Sequence, residues 1–304
     1  MVSLSRWLAV MAFLLTSQVS FAARDLWGTR SVGMGGAVRA TATGATAILS
    51  NPAGLSLAKM YVVDAIYQHR FSDAANLFHA SIIDSVTQVV AAGISYSFAS
   101  SSPTQTLALE KGGMQKLEES TYSHAVGLSL SYPLGQMLHI GLSGHYVNYQ
   151  SEFAQEVPGP LQAIELNNVA INAGAILRLF SALSFGIVGS NLVPIHDQLY
   201  PQTLGLGIAF QAGTVFAAEF DSVFDFTSDP EKMTVNFHGG AEVFLAKQFI
   251  LRAGAMYDMF RDATYASGGI GTIIQRFALE VGLRQMIDGG AETQLAVSVQ
   301  LFVQ

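Results

Sequence analysis

The chain reads as an all-β, roughly 14-stranded antiparallel transmembrane β-barrel with an N-terminal plug (hatch) in the lumen. Three observations lead there. Half the residues are hydrophobic and the mean hydropathy is +0.37, yet past the first two dozen residues no apolar run is long enough for a spanning helix, which needs about 20 residues. The apolar residues come instead at every second position, as in Leu295, Val297, Val299 and Leu301 against Ala296, Ser298 and Gln300. The alternate face is Gly, Ala and Ser, whereas a soluble sandwich would show Lys, Glu and Thr to water; charged residues are only 12%. Lipid leaves backbone groups no partner but one another, so a chain that crosses on strands must close them into a ring.

The first element expected is an export signal over residues 1–22: Arg6, an apolar stretch from Trp7 to Leu15, and the small-x-small site Ser20-Phe21-Ala22. Its removal takes away Arg6 and no acid, so the formal charge goes from −7 to −8. That balance gives no support to nucleic-acid binding, which shows basic clusters. Cysteine is absent, which removes disulfides and thiolate metal sites from consideration. Residues 23–57 form a second unit, rich in Gly, Ala and Thr and without sustained period, and residues 58–304 the barrel.

Strands are expected near 60–70, 75–84, 87–98, 122–132, 137–149, 165–178, 183–193, 202–211, 214–225, 233–245, 248–258, 264–274, 276–286 and 292–303, each bounded by turn residues. Short connections (84–86, 133–136, 180–182, 212–213, 246–247) alternate with longer ones (99–121, 150–164, 194–201, 226–232, 259–263). Barrels of the bacterial outer membrane have short periplasmic turns and longer outer loops, so both termini are expected on the periplasmic side.

Parity then assigns faces. Leu138, Ile140 and Leu142, Phe216, Ala218 and Phe220, and Phe277, Leu279, Val281 and Leu283 meet lipid. Asp64, Glu219, Asp221, Glu242, Arg252, Glu280 and Arg284 share the inner phase, and a lipid-facing charge would cost about 2–4 kcal/mol at midplane. Tyr61, Tyr67, Tyr96, Tyr132, Tyr146 and Tyr257 stand on the outer parity toward strand ends, where an aromatic girdle belongs. Many glycines (Gly127, Gly141, Gly174, Gly186, Gly205, Gly207, Gly254, Gly282) share the lumen face, and Gly93, Gly239-Gly240 and Gly268-Gly269 are places for a bulge or kink.

A barrel of about 14 strands is too wide to fill with its own side chains and narrow enough for one segment to plug. Residues 25–57 are the spare chain before the first strand, and their glycines suit tight folding against an inner wall. The same stretch resembles the N-terminal signature of FadL-type outer-membrane transporters, through Gly28-Thr29-Arg30-Ser31-Val32-Gly33-Met34-Gly35-Gly36-Ala37 and Ala47-Ile48-Leu49-Ser50-Asn51-Pro52-Ala53-Gly54-Leu55. Its wording is nearer still to the related PorV/PorQ-like barrels. The resemblance implies a hatch carrying the Asn51-Pro52-Ala53 turn with Gly33, Gly35 and Gly36, hydrophobic ligands captured at outer loops, and exit through a lateral opening. PorV-like members serve protein secretion instead.

Loop 99–121 places Leu107, Leu109, Met114 and Leu117 among charges in a weak amphipathic pattern, and the next long loop carries Phe153, Val157 and Leu161. Together they make either a capture surface for a greasy ligand or a lid that closes the mouth. His139, His145 and His238 suit lumen hydrogen bonding better than a metal site, and the inward acids and arginines suit ion pairs better than catalysis. No enzyme, cofactor or metal is expected. The expected partners are outer-membrane lipid, a hydrophobic small molecule, and possible outer-membrane proteins. The function expected is passive transport of a fatty-acid-like molecule; the alternative is an anchor or subunit of a secretion or surface-assembly complex.

Overall fold

The computed structural model describes residues 26–108, 114–153, 163–246 and 248–303, so the expected signal at 1–22 lies outside the described residues. Two short helices, α1 (Thr29–Gly33) and α2 (Gly44–Ser50), and a 3-10 turn over Pro52–Ser56 come first. The strands follow as β1 (Tyr61–Arg70), β2 (Ala75–Asp84), β3 (Ala91–Ser101), β4 (Thr104–Ala108) and β5 (Met114–Leu134). Then come β6 (Leu138–Phe153), β7 (Glu165–Leu179), β8 (Leu183–Ser190), β9 (Thr203–Ala212) and β10 (Phe216–Asp225). The last are β11 (Thr234–Leu245), β12 (Phe249–Asp258), β13 (Ala263–Ile274), β14 (Phe277–Asp288) and β15 (Thr293–Val303).

Neighbours pair antiparallel around a closed ring of 14 strands, with β1 against β15 and β3 against β5 completing the circuit. The fifteenth, β4, stands outside the ring, paired only with Met114–Glu118 of β5. Closure gives every strand of the ring two partners, which is what lipid demands of a backbone.

The alternation places side chains as parity requires. Ile140, Leu142, Phe220, Phe277, Leu279 and Leu283 are exposed on the outside, and the six tyrosines of the expected girdle are exposed with them. Asp64, Glu219, Asp221, Glu242, Arg252, Glu280 and Arg284 are all buried on the inside.

Two expectations are corrected. The third strand begins at Ala91, not 87, because residues 85–90 form the connection after β2. The described part of the 99–121 loop is a hairpin arm: Thr-Gln-Thr-Leu-Ala alternates with β-forming residues, and β5 runs 21 residues. At a strand's rise that is about 70 Å, so its Met114–Glu119 end stands well beyond a ~25 Å apolar band. Gly93, Gly239-Gly240 and Gly268-Gly269, where plain curvature is the reading favoured over a bulge, stay in register; among the described pairings the shift falls at Thr264/Tyr265.

The chain ends are not at one level. Val303 pairs with Tyr61 at the short-turn end. Leu26, the first described residue, packs on Ala75, Leu77 and Ala99 at the long-loop end, while Met60 packs with Ile83 and Phe302 at the other. Residues at both ends of the 26–57 segment therefore contact inward-facing wall residues.

Candidate functional site

The inward glycines explain how that segment fits. A Cβ on Gly141 would collide with Pro52 and Ala53, one on Gly174 with Asn51, and one on Gly186 with the carbonyl of Arg39. Gly240 and Gly254 face Met34, and Gly282 faces Thr29 and Gly33. The small-residue face is thus occupied by backbone of residues 29–53. Gly35 (φ +63°) and Gly36 (φ +87°) sit in left-handed backbone, and a Cβ on Gly35 would lie 2.7 Å from Ala255 N.

The inward charges bind the same segment. Glu242 receives Arg30 through both oxygens, at 2.7 and 3.1 Å, and shares Oε2 with Arg252 Nε at 3.1 Å. Arg252 continues to Glu280 at 2.9 and 3.1 Å. Burial opposes the charge on Arg30, but Glu242 more than offsets this and holds its pKa above the usual arginine value. Asp221 accepts from Val38 N, Arg39 N and Arg39 Nη1 at 2.9 to 3.1 Å, and Glu219 accepts from Ala40 N and Thr41 Oγ1. The Arg284 guanidinium lies 4.5 Å from the Trp27 ring centroid and 3.1 Å from Glu292. Asp64 is the exception: neither of its buried oxygens has a hydrogen-bond partner.

Asn51-Pro52-Ala53 forms the second attachment. Pro52 starts the 3-10 turn, and Asn51 Oδ1 caps it by accepting from Ala53 N at 3.2 Å. Asn51 Nδ2 donates to Arg39 O at 2.9 Å and reaches Ile187 O at 3.3 Å on the wall. Ser56 Oγ bonds Ser131 Oγ at 2.8 Å and His139 Nδ1 at 2.7 Å, and His238 Nδ1 donates to Gly35 O at 2.8 Å. The histidines expected to serve lumen hydrogen bonding do so, and two of them bind this segment.

Two hollows occur among the described residues. A cavity of about 290 Å³ on the long-loop side touches Trp27, Leu49 and Ser50 of the segment and His79, Ser97 and His145 of the wall. A hollow of about 470 Å³ opens at the rim of the short-turn end, between Lys59, Met60, Val86 and Phe302 and the outward-facing Tyr61 and Val303. Ile48, Leu55, Val62, Ile83 and Ala91 pack with Met60 and Phe302 into one apolar cluster. A Cβ on Gly93 would lie 3.0 Å from Ile48 Cδ1 there.

Of the expected capture residues, Leu107, Met114 and Leu117 belong to the β4–β5 hairpin, and Phe153 ends β6 partly exposed. Leu109, Val157 and Leu161 lie outside the described residues. Trp27, Arg30, Arg39, Ile48, His79 and Tyr200 were not anticipated as site residues. The two arginines had a signal: they are the only charges in 28–58, facing a lumen whose acids outnumber its bases.

Fold and surface together define a closed 14-stranded antiparallel β-barrel with an apolar outer face. Among solved structures it is similar to the CymD monoaromatic hydrocarbon channel (TM-score 0.70, 15% identity, covering 91% of this chain and 98% of that one). It is similar also to a Pseudomonas aeruginosa FadL homologue (0.64, 11%, 90% and 97%) and to the Pseudomonas putida toluene transporter TodX (0.64, 13%, 91% and 97%). At these identities the likeness is one of fold. No protein-family model and no characterised sequence matches the chain.

Proposed function

We propose that this protein is an outer-membrane channel that passes small hydrophobic molecules passively, with residues 26–57 as its hatch, the short turns in the periplasm and the long loops outside. The observation that carries this reading is the apolar cluster inside the barrel, in which Ile48 of the hatch packs against Ile83 of β2 and Gly93 of β3. A pore blocked by its own wall would need the strands to move; here, among the described residues, the cluster is completed by Ala42, Ala47, Ile48 and Leu55 of a Gly-rich segment that can move without them. The fold shared with hydrocarbon channels supports it, as does the apolar character of the constriction. We assign Asn51, Pro52 and Ala53 to hold the hatch and Gly33, Gly35 and Gly36 to let it lie against the wall. We further assign residues 1–22 to the signal and 58–304 to the barrel.

Planar-bilayer recordings test this directly. Deleting residues 26–57 behind an intact signal is expected to raise single-channel conductance several-fold. Unchanged conductance in a folded deletion would defeat the hatch. Absence of toluene flux into proteoliposomes, with stoichiometric protein partners on native mass measurement, would move the chain to the PorV-like, secretion-associated kind.

A further inference from the structure

The barrel is not of one height at its long-loop end. β7 runs out to Glu165, but β8 pairs with it only from Ala173 to Leu179, and β8 ends at Ser190 opposite Thr203 of β9. The connection 191–202 starts at this step. Asn191 turns the chain in left-handed backbone (φ +52°), and its Nδ2 donates to Pro201 O at 2.8 Å, so the two ends of the connection are tied together. Leu192 N donates to Ile171 O at 2.8 Å, which fixes that end on the edge of β7. Between the ends, Tyr200 N donates to His196 O at 2.8 Å and doubles the chain back. A loop closed at its base and cross-bonded within keeps one shape.

Its far side enters the barrel. Asp197 and Gln198 stay exposed, but Leu199 is only 1% exposed and Pro201 is buried. Tyr200 Oη meets Ser123 Oγ at 3.2 Å. Ser123 is a buried residue on the inner parity of β5, beside Tyr149 of β6, and β6 and β7 stand between β5 and the strands that carry the connection. A side chain from the connection between β8 and β9 reaches that spot only by crossing part of the lumen. Leu199, Tyr200 and Pro201 border the long-loop cavity, as Leu49 and Ser50 of the N-terminal segment do.

We propose that the 191–202 connection is a fixed eyelet: Leu199 and Tyr200 set the bore of the long-loop mouth and so select cargo by width before it meets the hatch. This rests on the channel reading above and adds to it the residues that decide size. A tyrosine is a rigid obstacle with few torsions to hold, and this one is held by the tied base of its loop and by Ser123. A narrow molecule passes beside the ring. A wide one must break the bond to Ser123 and lift Leu199 from its buried place, and its entry slows accordingly.

The chain contains no cysteine, so one introduced thiol reports access. Ala125 lies on β5 two residues deeper than Ser123, at the same parity, and borders the cavity. The full chain carrying Ala125→Cys, in lipid nanodiscs, is labelled with a small methanethiosulfonate cation and with a bulky one of the same charge. The small reagent is expected to react faster by about tenfold or more, reflecting the contacts the bulky one must displace. Leu199→Ala combined with Tyr200→Ala is expected to bring the two rates together by speeding the bulky reagent. Tyr200→Phe keeps the ring and loses only the bond to Ser123; it should raise the bulky rate about two- to tenfold and serves if the double variant does not fold. Equal rates in the Ala125→Cys chain, no labelling by either reagent, or a ratio that neither variant moves overturns the proposal. A ratio that closes in the variants supports the eyelet whether or not deletion of residues 26–57 changes conductance, so the eyelet and the hatch fail separately.

Discussion

Two stretches of inner wall treat the N-terminal segment in opposite ways. From β10 to β14, Asp221, Glu219 and Glu242 hold it through ion pairs and backbone N–H groups, and Arg252 ties Glu242 to Glu280 behind them. From β1 to β3 the wall offers little: Gln68 accepts from Trp27 N at 3.4 Å, Ile48 rests against Gly93, and Asp64, His79 and Ser81 keep polar atoms without partners. The difference separates an anchor from a seam. One side is bonded in detail, and the other is closed by apolar contact that a ligand can replace without breaking a charge pair. A solute is expected to pass along β2 and β3.

The sharpest way to break this contrast is on the anchored side. Glu242→Ala strands Arg30 and Arg252 in a buried site, a loss of about 3–5 kcal/mol where partners cannot relax into water. The urea midpoint in lipid vesicles should fall and channel noise should rise; an unchanged midpoint would mean that the network holds nothing. On the seam, Ile48→Ala removes the apolar plug of the constriction. It costs about 2–4 kcal/mol if the site stays dry and shows as higher conductance with the anchor intact. Conductance equal to the parent protein's would place the passage elsewhere. Gly174→Ala puts a methyl group where Asn51 Oδ1 sits, an overpacking worth about 1–3 kcal/mol, and should loosen the Asn51 turn. Increased protease cleavage near residues 51–57 reads this out, and protection equal to the parent's contradicts it.

The smallest effect runs the other way. Asp64→Asn exchanges a buried carboxyl for a neutral amide opposite Gln300 and should raise the urea midpoint by about 1 kcal/mol equivalent at neutral pH. A fall would show that the carboxylate is paired after all.

Most of the barrel was legible because lipid imposes a period of two with hardly any exceptions. β2 spans Ala75–Asp84 as read from alternation alone, and the inner phase of Glu219, Asp221 and Arg252 follows from the cost of a lipid-facing charge. The β4–β5 hairpin escaped because beyond the membrane that cost disappears, and Lys111, Lys116, Glu118 and Glu119 blur the alternation. The site was legible only in part. Glycines at lumen parity marked where something lies close, but not what: Gly141 and Gly174 face the Asn51–Ala53 turn, and the pairing depends on contacts more than eighty residues apart, which no local pattern encodes. His79 looked like any inward residue on β2. Its free nitrogen is a property of its neighbours.

The first strand and the last are zipped together, Tyr61 to Val303 through Arg70 to Gln294, so the ring can shut only once the entire polypeptide is present. By then the stretch before Tyr61 must already be inside, because Leu26 and Met60 emerge at opposite mouths and Arg30 and Arg39 clasp acids on the far staves. On the hatch reading proposed above, assembly is ordered: the cylinder is built around its own leading segment, which is a template for the circumference before it is a door.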